Sequence, residues 1–87
     1  MTVKYITNPR RKHSRFAVVI SKKVLKSAVR RNRVRRRVYE VIRAELLMLK
    51  DNHDIALIIV TADFLHMEYK SIQNEVKRLF SQANLYK

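Results

Sequence analysis

Six arginines lie within the eight positions 30–37, and their type and spacing predict the main chemical role of this 87-residue chain. A guanidinium stays charged at neutral pH and presents a planar set of donors that matches a phosphate group. Glu40 can pair with Arg36 and Arg43 at helical spacing, which offsets only part of the repulsion. Such a cluster is typical of a surface that binds the phosphates of a polyanion. Its members are Arg30, Arg31, Arg33, Arg35, Arg36 and Arg37.

The excess positive charge is confined to the first part of the sequence. Residues 1–37 contain 14 Lys and Arg and no Asp or Glu, whereas residues 38–87 contain 6 basic and 7 acidic residues. The formal net charge of +13 therefore has the distribution expected of a nucleic-acid-binding protein. Further basic residues that could contact a nucleic-acid backbone are Arg10, Arg11, Lys12, Arg15, Lys22, Lys23 and Lys26.

Catalysis by the protein alone finds little support in the remaining side chains. The chain has no cysteine, its three histidines are scattered, and no serine has a recognisable nucleophile spacing. The tract Asp51, His53 and Asp54 could be interpreted as a metal site, but a turn is the better interpretation because ligands on a flexible loop lack supporting contacts. Glycine is also absent, which excludes a glycine-rich phosphate loop.

No apolar run approaches the roughly 18 residues that a membrane span requires. The start of the sequence, MTVKYITNPRRKH, lacks the apolar region of a signal peptide, so we expect a cytoplasmic protein. The basic helix could instead bind an anionic membrane surface. Against that alternative, its apolar face lacks Trp and is expected to pack on a sheet.

Hydrophobic periodicity predicts one α+β domain over residues 1–87, with the element order β-β-α-β-α. Asn8 and Pro9 end the first strand, and Ser27 is the expected N-cap of the first helix, which should stop near Lys50 before Asn52 adopts a left-handed conformation. The second and third strands bracket a helix and could therefore be parallel. The predicted strands are 2–7, 15–21 and 55–61, and the predicted helices lie within 22–50 and over 68–84.

The core is predicted from which residues share a face. In the first strand, Val3 and Tyr5 lie on one face and Lys4 and Ile6 on the other. The continuous apolar run 55–61 indicates a strand that is buried on both faces. In the second strand the core residues are Phe16, Val18 and Ile20; in the first helix they are Val34, Val38, Val41, Ile42 and Leu49; in the last helix they are Tyr69, Ile72, Val76, Leu79, Phe80 and Ala83. Lys26, Arg30, Arg33, Arg36, Arg37 and Arg43 are predicted on the opposite side of the first helix.

The run SKKVLKSAVRRNRVRRRVYEVIR resembles the signature of the bacterial ribonuclease P protein subunit. That family has a Lys-Lys pair at the end of a strand, then Ala-Val, then Arg-Asn-Arg-x-(Lys/Arg)-Arg at the start of a long helix. The matching residues here are Lys22, Lys23, Ala28, Val29, Arg31, Asn32, Arg33, Arg35 and Arg36. The resemblance continues through IALIIV and EVKRLFSQANLYK, so it covers essentially the whole chain.

The resemblance implies a non-catalytic protein, monomeric in its complex, that binds a catalytic RNA. The ribonucleoprotein removes the 5′ leader from precursor tRNA, with Mg²⁺ held by the RNA and no cofactor bound by the protein. It also implies a left-handed strand-helix-strand crossover, against the usual rule. A ribosomal-type RNA-binding protein without a role in tRNA processing is the alternative, and a stand-alone nuclease is the weakest one.

The resemblance also implies roles for individual residues. Arg31, Asn32, Arg33, Arg35 and Arg36 match the motif that contacts the catalytic RNA, and Lys26, Arg30 and Arg37 extend the same basic helix. Tyr5 matches an aromatic position that lines the cleft for the single-stranded leader, with Lys22 and Lys23 at the cleft edge and Arg15 as a further leader contact.

The sequence departs from the family pattern at three places. Members usually begin with a further helix and a short strand that form one wall of the leader cleft, whereas this sequence begins at the position of the following strand. Tyr39 stands where the family often has another arginine, and the nearby Arg37 could compensate. Thr61 stands near where an arginine often ends the last strand.

Overall fold

The computed structural model describes residues 1–7, 10 and 14–87, and in these residues the predicted order of strands and α-helices is confirmed. The predicted turn at Asn8–Pro9 and the basic-loop residues Arg11, Lys12 and His13 lie outside the described residues. The elements are β1 (Thr2–Thr7), β2 (Arg15–Ile20), α1 (Ala28–Glu45), a first 3-10 helix (Leu46–Met48), β3 (His53–Ile59), a second 3-10 helix (Ala62–Leu65) and α2 (Tyr69–Gln82).

The three strands form one sheet with the order β1-β3-β2. β1 is antiparallel to β3, with Tyr5 opposite Ile55. β2 is parallel to β3, with Phe16 opposite the same Ile55, as the intervening helix predicted. α1 thus connects two adjacent parallel strands. That this crossover is left-handed is still only an expectation from the family resemblance.

α1 begins where the sequence predicted. The Ser27 hydroxyl accepts a hydrogen bond from the Arg30 backbone N–H at 3.3 Å, which satisfies one of the free donors at the helix start. The end predicted near Lys50 is wrong, because the helix ends at Glu45 and tightens into the first 3-10 helix. Leu49 is then extended and pairs with Tyr86. Asn52 takes the predicted left-handed conformation, with a φ of 68°.

Both helices pack on one face of the sheet. Ile55, Leu57 and Ile59 of β3 are buried on that face, whereas Ala56 and Ile58 on the other face are only half-buried. The prediction that this strand is buried on both faces is therefore wrong, and one face of the sheet is open. The remaining buried core residues are Val18, Ile20, Leu25, Val34, Val38, Val41, Ile42, Leu49, Phe64, Leu65, Ile72, Val76, Leu79, Phe80 and Leu85.

Tyr69 was predicted in the core stripe of α2, but its side chain is 48% exposed because it is the first residue of that helix. The C-terminal segment closes the core instead. Leu85 is buried, and the Lys50 backbone N–H donates to its carbonyl at 2.7 Å. Burial, together with the charge of Glu45, raises the pKa of the Tyr86 hydroxyl above its ordinary value.

The outer edge of β2 is covered by side chains of α1. The Tyr39 hydroxyl accepts a hydrogen bond from the Val18 N–H at 3.2 Å and donates to the Phe16 carbonyl at 3.4 Å. Arg35 Nε donates to the Val18 carbonyl at 3.3 Å. An uncovered strand edge can pair with another chain, so these contacts protect the sheet as well as join it to the helix.

We expect a Tyr39→Phe substitution to lower the free energy of unfolding by about 1 kcal/mol, because two backbone groups of β2 lose their partner. Urea unfolding followed by circular dichroism measures this change. Tyr69→Phe is the matched control, since its hydroxyl has no hydrogen bond to the described residues. Equal stabilities for the two variants would refute the edge-covering role of Tyr39.

Candidate RNA-binding surface

α1 exposes one row of arginines that the rest of the described chain leaves unpaired. Their side chains are exposed and form no hydrogen bond or ion pair with the described residues, Glu40 included. At 1.5 Å per residue the row extends over about 20 Å of the helix. It could contact several successive phosphates of a nucleic-acid strand. This arginine row consists of Arg30, Arg33, Arg36 and Arg43.

The other three arginines of the cluster are half-buried and bind the protein itself. Arg31 Nη1 donates to the carbonyl oxygens of Leu25 and Lys26, both at 2.8 Å, and so fixes the turn that precedes the helix. Arg35 donates to the side-chain oxygen of Asn32 at 2.8 Å in addition to its bond to β2. RNA contacts by Arg31, Asn32 and Arg35 stay predictions, but each side chain already has a role within the fold.

Arg37 makes the largest set of contacts with the protein. Its Nη1 donates to the Leu65 carbonyl at 2.7 Å and to the Phe64 carbonyl at 3.3 Å, and its Nη2 donates to the Met67 carbonyl. These acceptors lie at the end of the second 3-10 helix, where carbonyls lack partners within the helix. The placement of Arg37 on the outer side of the helix, predicted from angle alone, is wrong, because its guanidinium folds against this segment.

Three lysines extend the arginine row beyond the start of α1. Lys22 and Lys23 are exposed in the turn after β2, and Lys26 is exposed just before the N-cap. The turn is closed by hydrogen bonds from the backbone N–H groups of Val24 and Leu25 to the Ser21 carbonyl, both at 3.1 Å. The free N–H groups of a helix start also favour anions, and the first turn of α1 has no acidic residue, so this end of the helix attracts negative charge.

The structure does not bring the predicted leader-binding residues together. Tyr5 lies level with Ile55, whereas Lys22 and Lys23 follow the end of β2, where Ile20 is level with Ile59. Four residues of β3 separate these levels, or about 13 Å along the strand. Successive residues point to opposite faces, so Tyr5 shares the helix-covered face with Phe16, and Arg15 lies on the open face.

Tyr5 is nevertheless accessible at the edge of the sheet. Its side chain is 46% exposed, and its ring centroid lies 6.2 Å from that of His53. The two rings are inclined by 49°, which leaves part of each ring face open for stacking. His53 Nδ1 lies 2.8 Å from the Asp51 carbonyl oxygen. The turn predicted over residues 51–54 is confined to residues 51–52, because His53 and Asp54 already belong to β3.

The open face of the sheet contains a shallow depression of about 280 Å³ that is lined by basic and apolar residues and by Asp54. Lys4 and Arg15 lie at its sides, and Ile6, Ala17 and Ala56 supply apolar surface. Lys4 and Ile6 were not among the predicted contact residues. The alternation of TVKYIT already placed both on the face opposite Tyr5, so that signal could have found them.

The described residues offer no group of three or more His, Cys, Asp or Glu side chains that could hold a metal ion. Across the same residues, no helix has the length and apolar character needed to span a membrane.

Comparison with known proteins identifies relatives of this fold and sequence. The ribonuclease P protein component of Synechocystis is 37% identical over 73 residues, which cover 84% of this chain and 58% of that protein. The Clostridium kluyveri protein component is 35% identical over an alignment that covers 100% of this chain and 78% of that protein. The chain thus spans little more than half the length of the Synechocystis protein.

Solved structures agree with the sequence comparison. The RNase P protein of Staphylococcus aureus superposes with a TM-score of 0.81 at 25% identity, covering 98% of this chain and 75% of that chain. The Thermotoga maritima RNase P protein has the same fold, with a TM-score of 0.80 at 23% identity, over 92% of this chain and 74% of that chain. The sequence model of the Ribonuclease P family matches residues 1–84, and the chain therefore belongs to that family.

Proposed function

We propose that this chain is the protein subunit of a ribonuclease P ribonucleoprotein, acting in the cytoplasm as one copy per complex. It binds the catalytic RNA through the arginine row and assists endonucleolytic removal of the 5′ leader from precursor tRNA. The observation that carries the proposal is the row itself. Its guanidinium groups have no partner among the described residues, and two of them, Arg33 and Arg36, belong to the family's RNA-contacting motif.

The contribution of the protein to cleavage is electrostatic. A catalytic RNA and its tRNA substrate are both polyanions and repel each other, and cations placed between them lower that repulsion. Hydrolysis itself is assigned to the RNA, which is proposed to hold the Mg²⁺ that activates the attacking water. The protein tightens substrate binding and needs no nucleophile or metal ligand of its own.

Two surfaces of the sheet could contact the single-stranded leader. The exposed ring of Tyr5 beside His53 could stack on a base. On the open face, Lys4 and Arg15 could bind leader phosphates while Ile6 and Ala56 lie under the bases. Lys22 and Lys23 lie at the end of the sheet near α1 and are assigned to the boundary between leader and catalytic RNA.

We expect this chain to stimulate cleavage of precursor tRNA by its cognate catalytic RNA by about tenfold or more at low millimolar Mg²⁺, where phosphate repulsion is least screened. The stimulation should shrink as Mg²⁺ or monovalent salt is raised, because added cations replace the protein's charge. Single-turnover cleavage with and without the chain measures this effect.

Leader length provides the control for the sheet contacts. If stimulation grows with leaders of two, five and eight nucleotides, the sheet contributes to substrate binding, and Tyr5→Ala and Lys4→Ala then identify which face does so. If the protein stimulates cleavage equally at every leader length, neither surface of the sheet binds the leader, and only the proposed binding to the catalytic RNA is supported. No stimulation by the folded protein would instead favour the ribosomal-type RNA-binding alternative.

A further inference from the structure

The segment that follows β3 forms a cleft against the start of α1, separate from both sheet surfaces. The cleft is open to solvent on one side and has a volume of about 470 Å³, within the range of small-ligand sites. One wall belongs to residues 62–67 and the other to the turn and first residues of α1. Its lining includes Leu25, Arg30, Ala62, Asp63, His66 and Met67.

The wall formed by residues 62–67 is held in place by bonds within the protein. The Thr61 hydroxyl accepts a hydrogen bond from the Asp63 N–H at 3.3 Å, and the His66 N–H donates to the Asp63 carbonyl at 3.1 Å. Arg37 anchors the same segment to α1 through the carbonyls of Leu65 and Met67. The cleft is thus preformed, which lowers the entropy cost of binding a ligand.

The lining combines the three contacts that a nucleotide requires. Arg30 supplies an exposed guanidinium for a phosphate, and it is also the first member of the arginine row. Ala62 is exposed and Met67 is half-buried, so these two side chains offer apolar surface for the face of a base, whereas Leu25 is buried. Asp63 and His66 are exposed polar groups, and a carboxylate accepts hydrogen bonds from the amino group of a base.

We propose that this cleft receives one unstacked nucleotide from the RNA strand that the arginine row binds. The inference rests on the proposed RNA-binding function and adds a base-reading site to it. Arg30 binds the phosphate, the base lies against Ala62 and Met67, and Asp63 selects bases with an exocyclic amino group. Cytosine satisfies that requirement, and uracil, which presents a carbonyl at the same position, does not.

Nuclear magnetic resonance of the methyl-labelled chain tests the cleft with cytidine 5′-monophosphate, uridine 5′-monophosphate and inorganic phosphate. We expect the cytidine nucleotide to shift the methyl signals of Ala62 and Met67, and the uridine nucleotide to bind about fivefold more weakly. Inorganic phosphate should leave those two signals in place. Asp63→Asn should reduce the preference for cytosine, because an amide side chain can also donate to the uracil carbonyl.

An Ala62→Phe variant fills the cleft, and Ala44→Phe is its matched control because Ala44 is exposed near the far end of α1. We expect Ala62→Phe to abolish the cytidine-dependent shifts and to lower affinity for the catalytic RNA about tenfold without changing its salt dependence. The proposal that the cleft binds a nucleotide would be refuted if Ala62→Phe left RNA affinity unchanged. It would also be refuted if inorganic phosphate produced the same methyl shifts as cytidine 5′-monophosphate. Failure of the unmodified chain to bind the catalytic RNA would instead refute the proposed function.

Discussion

Replacing Arg33 and Arg36 by alanine together should lower affinity for the catalytic RNA by about 100-fold, or about tenfold for each arginine. Both side chains are exposed on the arginine row and have no bond within the described residues to lose, so the fold should be unaffected. Each phosphate contact releases bound counterions. The plot of log affinity against log salt should therefore become shallower by roughly 1.4 to 1.8.

The control separates the position of the charge from its amount. Lys70→Ala with Lys87→Ala removes the same number of positive charges from exposed positions of α2 and the last residue of the chain, outside the arginine row. We expect this variant to change RNA affinity less than threefold, through the overall field alone. If both double variants lose the same affinity, then RNA binding depends on net charge, and the assignment of the arginine row is wrong. Filter binding over a range of salt concentrations makes the comparison.

The sequence predicted the type and order of the strands and α-helices because each one has a strong local signal. The core stripe of α1 repeats at helical spacing, and Ser27 supplies a cap one residue before the helix. Element ends were predicted less well. The 3-10 helix after Glu45 leads directly into Leu49, which pairs with Tyr86 in a contact between distant parts of the chain that no local pattern records.

The continuous apolar run of β3 led to the wrong prediction for the sheet. Such runs are typical of strands covered on both sides, but here Ala56 and Ile58 remain half-buried on the open face. Composition cannot distinguish a face covered by the protein's own helices from one that is left open. The same open face contains the depression between Lys4 and Arg15, so the error in the fold and the missed candidate contacts have one origin.

The arginine cluster shows a second limit of sequence reasoning. Six arginines within eight residues appear equivalent, and helical angle separates them only into an inner and an outer side. The arginines differ in whether a backbone carbonyl oxygen lies within hydrogen-bond distance of the guanidinium group. Arg35 donates a hydrogen bond to a carbonyl of β2, and Arg37 donates to a carbonyl of the second 3-10 helix. Both acceptors belong to segments that are distant in the sequence. That division could be seen only once the fold was known.

This division predicts that Arg37→Ala destabilises the domain by about 2–3 kcal/mol, because three backbone carbonyls lose a charged donor. The melting temperature of a domain of this size would fall by roughly 10–20 °C. Arg37→Lys should recover little of the loss, since a single ammonium cannot reproduce the spread of a guanidinium over separate acceptors. Urea unfolding of the protein without RNA measures the change directly.

Arg33→Ala is the matched control for Arg37→Ala, because it removes the same side chain from the same helix at an exposed position. It should change the free energy of unfolding by less than about 0.5 kcal/mol while weakening RNA binding. Arg37→Ala should instead lower the free energy of unfolding. The fraction of this variant that remains folded should bind RNA with an unchanged salt dependence. If Arg37→Ala proves fully stable and its salt dependence becomes shallower, Arg37 contacts RNA phosphates as the sequence predicted. The separation of the cluster into a structural set and an RNA-facing set would then be wrong at this residue.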